Sequence, residues 1–588
     1  MRIAVLLKDR CQPKKCNLEC IHYCPPVRTG VDAIAIGARG KPVIAEELCV
    51  GCGICVHKCP FEAIKIIGLP QELAGELVHQ YGKNAFRLYR LPVPKMGQVI
   101  GLLGPNGIGK TTAISMLSGQ VVPNLGDYDH PGDWTKVLER YAGTEIHDYF
   151  KALADGKLTT AMKPQYVDKL PTVHKGLVKD LLRKVDDAGN MVETATRLGI
   201  KGVLERDISK LSGGELQRVA LAATLLKDAD VYFFDEPSSY LDIYQRLEVA
   251  KVIQELSETK QVVVIEHDLA VMDFLADLVH IMYGDEGAYG VMAQPRPVRT
   301  AINVYLDGYL REENIRFRDT QIVFEKKPPR KEWRSEVLIR FPALTKRFKT
   351  FTLKIAEGAI KKGEVVGAVG PNATGKTTFV KMLAGEVEPT SGEVKGDATI
   401  SYKPQYINPE FDGTVREMLS SSIGKDFESG FFQAEVAHPL SLKFLMEKDV
   451  NTLSGGELQR VAIAECLGKS ADIYLIDEPS AYLDSNQRMI ASKTIRRAIE
   501  KIGKSALIVD HDVYMIDLIS DSLMVFSGVP SSKGSAEGPM DMRQGMNRFL
   551  QDVQITFRRD QDSGRPRINK KDSRLDREQK AKGEYYYG

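Results

Sequence analysis

Two matching nine-residue words, GPNGIGKTT from Gly104 to Thr112 and GPNATGKTT from Gly370 to Thr378, hold the residue types that phosphate binding needs. Both fit G-x-x-x-x-G-K-[ST]; each follows an apolar run (QVIGLL, EVVGAV) and precedes a helical pattern. Gly104, Gly107, Gly109, Gly370 and Gly375, with Asn106 and Asn372 between them, let backbone N–H groups wrap phosphate oxygens. Lys110 and Lys376 neutralise the β and γ groups. Thr111 and Thr377 are placed to ligate magnesium, and Thr112 and Thr378 complete the loops. The ligand class is a nucleoside triphosphate with Mg2+, bound twice.

Each loop has further polar residues downstream at matched spacing. VYFFDEP and IYLIDEP read as buried strands ending in acid pairs, in which Asp235 and Asp477 hold magnesium and Glu236 and Glu478 polarise the attacking water. Gln165 and Gln405, each in KPQY, join the magnesium set, while His267 and His511, in IEHD and VDHD, are expected at the γ-phosphate as further catalytic residues. A lone Gln or His in such a place would be read as structural. Recurrence decides otherwise: Ser212 to Asp235 and Ser454 to Asp477 are both 23 residues apart, and the following Asp-to-His intervals are 32 and 34.

A third chemistry sits at the N-terminus, where eight of the nine cysteines fall within the first 59 residues. Cys49, Cys52, Cys55 and Cys59 before Pro60 are spaced C-x2-C-x2-C-x3-C-P, the ferredoxin run whose last cysteine ligates the other cluster. Cys11, Cys16, Cys20 and Cys24 before Pro25 form a looser set. Two [4Fe–4S] clusters are expected, one on Cys49, Cys52, Cys55 and Cys24, the other on Cys11, Cys16, Cys20 and Cys59. Four-cysteine zinc sites are the alternative, although zinc ligands usually come as two separated pairs. Residues 1–70 hold ten Lys or Arg against six Asp or Glu, a surface better suited to an anionic partner than to a redox partner. The clusters then read as staples for a domain too small to stabilise itself. Cys466, in VAIAECLG, reads as a small buried apolar residue.

The elements that must position these groups follow from length and repetition. With 588 residues, 43% hydrophobic and 27% charged, the chain is several folded domains, and no run approaches the roughly 18 apolar residues of a membrane span. The IAVLL start is shorter than a secretory core, so a cytoplasmic, reducing location is expected. Lys110 lies 55 residues before Gln165 but Lys376 only 29 before Gln405, a surplus of 26 in the first copy. DWTKVLERY and EIHDYFKAL within 127–157 predict two short helices there. The fold class is α/β with an N-terminal α+β ferredoxin-like domain. Expected boundaries are 1–72 for that domain, 73–290 and 331–530 for the repeats, and 291–330 and 531–588 for basic hinges. Arg296 to Arg334 and 556–588 each hold ten basic against six acidic residues, which reads either as solvated linkers or as hinges touching RNA phosphate on a chain of net charge only +2.

LSGGELQR occurs twice, from Leu211 to Arg218 and from Leu453 to Arg460, and with it the sequence resembles the ATP-binding cassette superfamily over roughly residues 75 to 530. The resemblance makes SSYLD and SAYLD the D-loops and implies composite sites, Lys110 with Ser454, Gly455 and Gly456, and Lys376 with Ser212, Gly213 and Gly214. It also implies an aromatic adenine platform, Tyr81 or Phe86 in one site and Phe348 in the other. Glu215 and Glu457 depart from the Gln of many transporters. The cluster-bearing head, tandem cassettes and one-sided insertion resemble subfamily E, the ribosome-recycling ATPases of archaea and eukaryotes also called the RNase L inhibitor family, with an archaeal source expected. That resemblance implies ribosome splitting after termination or rescue, retention on the small ribosomal subunit and its rRNA, a termination factor or Pelota-like rescue factor as partner, a link to initiation factors, and no membrane. A redox-coupled ATPase and the ATPase subunit of a membrane transporter are the competing readings.

Overall fold

The computed structural model describes residues 2–8, 10–37, 40–68, 71–167, 169–318, 321–324, 336–394, 397–405 and 411–586. The chain divides into two compact units: Met1–Ser239 with Lys251–His267 and Leu275–Asp319, and Tyr240–Ala250 with Asp268–Phe274 and Thr320–Gly588.

The first unit is built on a nine-stranded sheet. Its centre is parallel, running Leu278–Asp285, Val99–Leu103, Gln261–Ile265, Val231–Asp235, Thr160–Lys163. The apolar runs seen in the sequence are these strands: VIGLL and VYFFD are buried throughout, as strands covered on both faces must be. Helix Lys110–Leu117 covers one face with Ala113, Ile114 and Leu117 against Ile100, Phe233 and Val263. Helices Trp134–Tyr141 and Glu145–Ala154 bring Val137, Ile146, Tyr149 and Phe150 into the same core, and Tyr149 Oη donates to Leu117 O at 2.6 Å. The insertion therefore rests on the helix that leaves the phosphate loop.

The N-terminal head pairs Arg2–Leu6 with Ile64–Gly68 and Ile34–Ile36 with Pro42–Ile44, around short helices Glu19–His22, Pro25–Arg28 and Ile54–Lys58. Ile3, Val5 and Ile67 pack on Ala288. Asn84 acts as a surrogate strand, its Oδ1 accepting from Leu6 N at 3.0 Å and its Nδ2 donating to Ala4 O at 2.9 Å.

The second unit repeats the sheet order with Ser522–Val529, Val365–Val369, Ser505–Val509, Ile473–Asp477 and Ile400–Lys403 at its parallel centre. Two expectations change here. The segment 531–588, expected as a hinge, contributes strand Lys533–Asp541 to that sheet, and helix Met542–Asp552 packs behind it with Met546, Phe549 and Leu550 buried. Its KGSAEGPMD run has almost no apolar signal, so only pairing to Ser522–Val529 makes it a strand. Arg565, expected to touch phosphate, has no exposed surface. Its Nη1 donates to Tyr514 Oη at 2.9 Å and to Asp273 Oδ2 at 3.2 Å, while Arg567 Nε donates to Asp273 Oδ2 at 2.7 Å. A guanidinium so enclosed is spent on a carboxylate. Lys570, Lys571 and Arg577 remain exposed. Within the other hinge, 325–335 lies outside the described residues, and Arg296 pairs with Glu312. No helix among the described residues is long and apolar enough to cross a membrane.

Candidate functional site

Both phosphate loops leave a central strand and turn into a helix through a left-handed glycine, Gly109 at φ 95° and Gly375 at φ 101°. A Cβ on Gly109 would lie 2.5 Å from Phe86 Cζ, and one on Gly375 2.8 Å from Leu353 Cδ1, so only glycine fits either position. Lys110 Nζ donates to Gly104 O at 2.7 Å and Pro105 O at 2.6 Å; Lys376 Nζ donates to Gly370 O at 2.9 Å and Pro371 O at 2.7 Å. Each ammonium is buried, and burial pushes Lys376 down to about 8 despite Glu478, Asp242 and Asp477. Phosphate charge at the loop would offset that desolvation. In the second unit Asn372 N donates to Asp242 Oδ2, of SSYLD, at 2.9 Å.

The strand ends supply the acids. Thr111 Oγ1 donates to Asp235 Oδ2 at 2.9 Å. Burial, and then the adjacent Glu236 or Glu478, raises Asp235 and Asp477 to about 6. Neither oxygen of the fully buried Asp477 accepts a hydrogen bond of normal geometry. A buried, unsatisfied carboxylate beside a threonine hydroxyl fits a hard divalent cation.

Glu236 and Glu478 stand one residue further, at φ 49° and 47°, a left-handed backbone uncommon outside glycine. Gln165 Nε2 donates to Glu236 Oε1 at 2.7 Å, Ser239 Oγ donates to Oε2 at 3.0 Å, and His267 Nε2 lies 3.5 Å from Oε1. The second site repeats this, with Gln405 at 2.8 Å from Glu478 Oε1 and His511 at 3.6 Å. Burial works to raise Glu478, but His511, Gln405 and Lys376 outweigh it and hold the carboxylate down at about 2. It is therefore ionised at neutral pH.

Sequence reasoning overlooked four residues here. Lys163 and Lys403, fully buried, donate to the backbone carbonyls of the acid pairs, and Gln217 and Gln459 Nε2 donate to Glu236 O and Glu478 O, each at 2.7 Å. Their signal was present: the lysines open both KPQY words and the glutamines stand next to last in both LSGGELQR words.

Ser212 and Ser454 N-cap helices Gly213–Leu225 and Gly455–Gly468 through capping boxes with Glu215 and Glu457. Gly213 and Gly214, like Gly455 and Gly456, form the first turn, where backbone donors and the helix dipole favour an anion. This accounts for the unexpected glutamates: one oxygen closes the box, and the other pairs with Arg206 or Lys448, each at 2.8 Å.

The aromatic candidates separate into two kinds. Phe86 is wedged beneath Gly109, and Phe351 lies 3.2 Å from a Cβ on Gly375. Tyr81 is 55% exposed with its Oη 3.4 Å from Thr112 Oγ1, and Phe348 is 47% exposed beside Phe351 at 6.4 Å. Tyr81 and Phe348 are the rings open to a ligand.

Two cavities in the head gather the thiols. One is lined by Cys11, Cys16, Cys20 and Cys59, the other by Cys24, Cys49, Cys52 and Cys55. The last cysteine of each run crosses to the other cavity. Burial, then the neighbouring thiols, pushes Cys20 up to about 12 and Cys55 up to about 11. Four thiols gathered around each pocket are the donor set of an iron–sulfur cluster. Ala63 N donates to Cys59 Sγ at 3.3 Å and Ala4 N to Cys49 Sγ at 3.4 Å.

Comparison with known proteins places these sites in a wider set. A family profile described as ABC transporter matches residues 94–239 and 353–481, one described as a possible Fer4-like domain in RNase L inhibitor matches residues 1–32, and one described as a 4Fe-4S binding domain matches residues 42–65. A Methanocaldococcus jannaschii protein named as an uncharacterized ABC transporter ATP-binding protein is 51% identical over 100% of this chain and 98% of its own. The structure described as a model of ribosome-bound archaeal Pelota and ABCE1 aligns at TM-score 0.94 and 54% identity, covering 100% of this chain and 99% of that one. The crystal structure of archaeal ribosomal stalk protein aP1 with archaeal ribosome recycling factor aABCE1 aligns at 0.84 and 54%, covering 88% and 100%.

Proposed function

Because this chain belongs to the E family of ATP-binding cassette proteins, the RNase L inhibitor family, we propose that it is a cytoplasmic ATP-driven factor that splits ribosomes into subunits after termination or rescue and stays on the small subunit. It is an ATP-binding cassette ATPase with an iron–sulfur head. The observation that carries the proposal is the likeness of the whole chain, head and both cassettes together, to an archaeal recycling factor and to a protein bound with Pelota on the ribosome. Its partners are then the small subunit with its rRNA, a termination or Pelota-like factor, and initiation factors.

In each site the loop lysine and backbone donors bind the triphosphate, Tyr81 or Phe348 stacks on adenine, and Thr111 with Asp235 and Gln165, or Thr377 with Asp477 and Gln405, would hold Mg2+, which would supply charge neutralisation at the phosphates. Glu236 or Glu478 takes the proton of the attacking water, oriented with His267 or His511. Signature serines Ser454 and Ser212 complete the sites of Lys110 and Lys376 respectively, so ATP binds the closed arrangement more tightly and shifts the equilibrium toward it; hydrolysis resets it. The eight thiols hold two [4Fe–4S] clusters that brace the head.

Glu236→Gln with Glu478→Gln should leave nucleotide binding intact and block reopening. The doubly substituted protein is expected to cosediment with small subunits in ATP, and absence of ATP-dependent retention in gradients would remove the recycling reading.

A further inference from the structure

Two lysines, at equivalent places in the repeat, are fully enclosed in protein: Lys163 is 0% exposed and Lys403 1%. Each ends a parallel strand, Thr160–Lys163 beside Val231–Asp235 and Ile400–Lys403 beside Ile473–Asp477, in register with the residue just before the acid pair. Lys163 Nζ donates to Asp235 O at 2.8 Å and Glu236 O at 3.1 Å; Lys403 Nζ donates to Asp477 O at 2.7 Å and Glu478 O at 3.3 Å. An ammonium is among the least favourable groups to bury, and a leucine would fill the slot without that penalty. The charge is there twice, and each time it grips the backbone carbonyl of a glutamate whose φ is left-handed.

We infer that Lys163 and Lys403 are positioning residues for hydrolysis, each clamping the left-handed backbone of its neighbouring glutamate so that the carboxylate stays aimed at the water. The inference rests on the reading of Glu236 and Glu478 as proton acceptors. The chain order makes the arrangement effective: Gln165 and Gln405 stand two residues beyond the lysines and hold the glutamate side chains, whereas the lysines hold the glutamate main chains. Each glutamate is thus tethered twice, at its side chain and at its main chain. Gln217 and Gln459 share the same carbonyls from the signature helices, so the clamp also joins the signature helix to the base. Without the ammonium the strained turn can relax toward an ordinary backbone and carry the carboxylate off line; a displacement of about 1 Å costs up to about 100-fold in rate.

The test compares full-length, cluster-loaded protein carrying Lys163→Met and Lys403→Met with the parent, in parental and in Glu236→Gln, Glu478→Gln backgrounds. Single-turnover hydrolysis in the parental background should fall about 10-fold to 100-fold, less than the about 100-fold to 10,000-fold that loss of the base costs. Affinity for a fluorescent ATP analogue, KM and iron content should stay within about threefold, since the loop lysines are untouched. In the Gln background the Met substitutions should add no further loss. An equal further loss there, or a raised KM with unchanged kcat, would overturn the inference. If the two Gln substitutions alone leave turnover intact, the base assignment itself fails and the inference with it. Should the Met protein not fold, Gln217→Leu with Gln459→Leu removes the other donor to the same carbonyls and is expected to show the same background dependence at smaller size.

Discussion

Gln165 meets Glu236 at 2.7 Å and Gln405 meets Glu478 at 2.8 Å, the loop lysines fold onto equivalent carbonyls, and both glutamates share the same backbone twist. Further from the two sites the units differ. The first unit adds the head and two helices packed on its phosphate-loop helix. The second carries a π-helix, Phe432–Ala437, in its helical region and a C-terminal segment fastened by Arg559 to Asp517 and by Arg565 to Asp273. Duplicated chemistry inside unlike frames separates what the reaction requires, which is repeated, from what can make the two sites respond differently, which is not.

Five substitutions test that separation. Glu236→Gln and Glu478→Gln, made singly, are each expected to slow single-turnover hydrolysis at the affected site by about 100-fold to 10,000-fold. Equal losses sharpen the comparison by placing all asymmetry outside the catalytic groups, and a hundredfold disparity would break it.

Next in size is Phe150→Ala. This ring is fully buried among Trp134, Tyr141 and Tyr149, whose centroids lie 5.5, 5.7 and 6.0 Å away. Its loss should destabilise the first unit by about 3 to 5 kcal/mol, seen as an earlier unfolding transition in urea, with the second unit's transition unmoved. A shift of both transitions would mean that the insertion supports more than its own cassette.

The smallest effect concerns the signature caps. Arg206 is 44% exposed at the side chain and Lys448 13%. Arg206→Gln should cost about 0 to 1 kcal/mol and Lys448→Gln about 1.5 to 3 kcal/mol. Burial works to raise Glu457, but Lys448 and the Ser454 backbone hold it below its ordinary range. Its contribution is thus present above the unfolded value of about 4.3 and lost as pH falls through the lower folded value. The gap between parent and Lys448→Gln should close below about pH 4 in thermal melts, and a gap that persists in acid would assign the loss to packing.

The phosphate loops, acid pairs, signature words and cysteine runs were legible because their chemistry demands fixed residue types at short, fixed spacing. GPNGIGKTT must supply glycines where φ is positive and a Cβ would strike Phe86, and C-x2-C-x2-C must bring thiols round one turn. The central strands were legible as well, since a parallel strand buried on both faces writes itself as an unbroken apolar run. Other features depend on partners far along the chain. KGSAEGPMD becomes a strand only beside Ser522–Val529, Arg565 leaves solvent only because Asp273 and Tyr514 enclose it, and the carbonyl of Glu236 accepts from Lys163, 73 positions earlier. Local spacing encodes which atoms a site contains. Whether a charge faces water or a buried carbonyl is a property of the packed neighbourhood, where desolvation and long-range hydrogen bonds outweigh composition, and only the tertiary structure decides it.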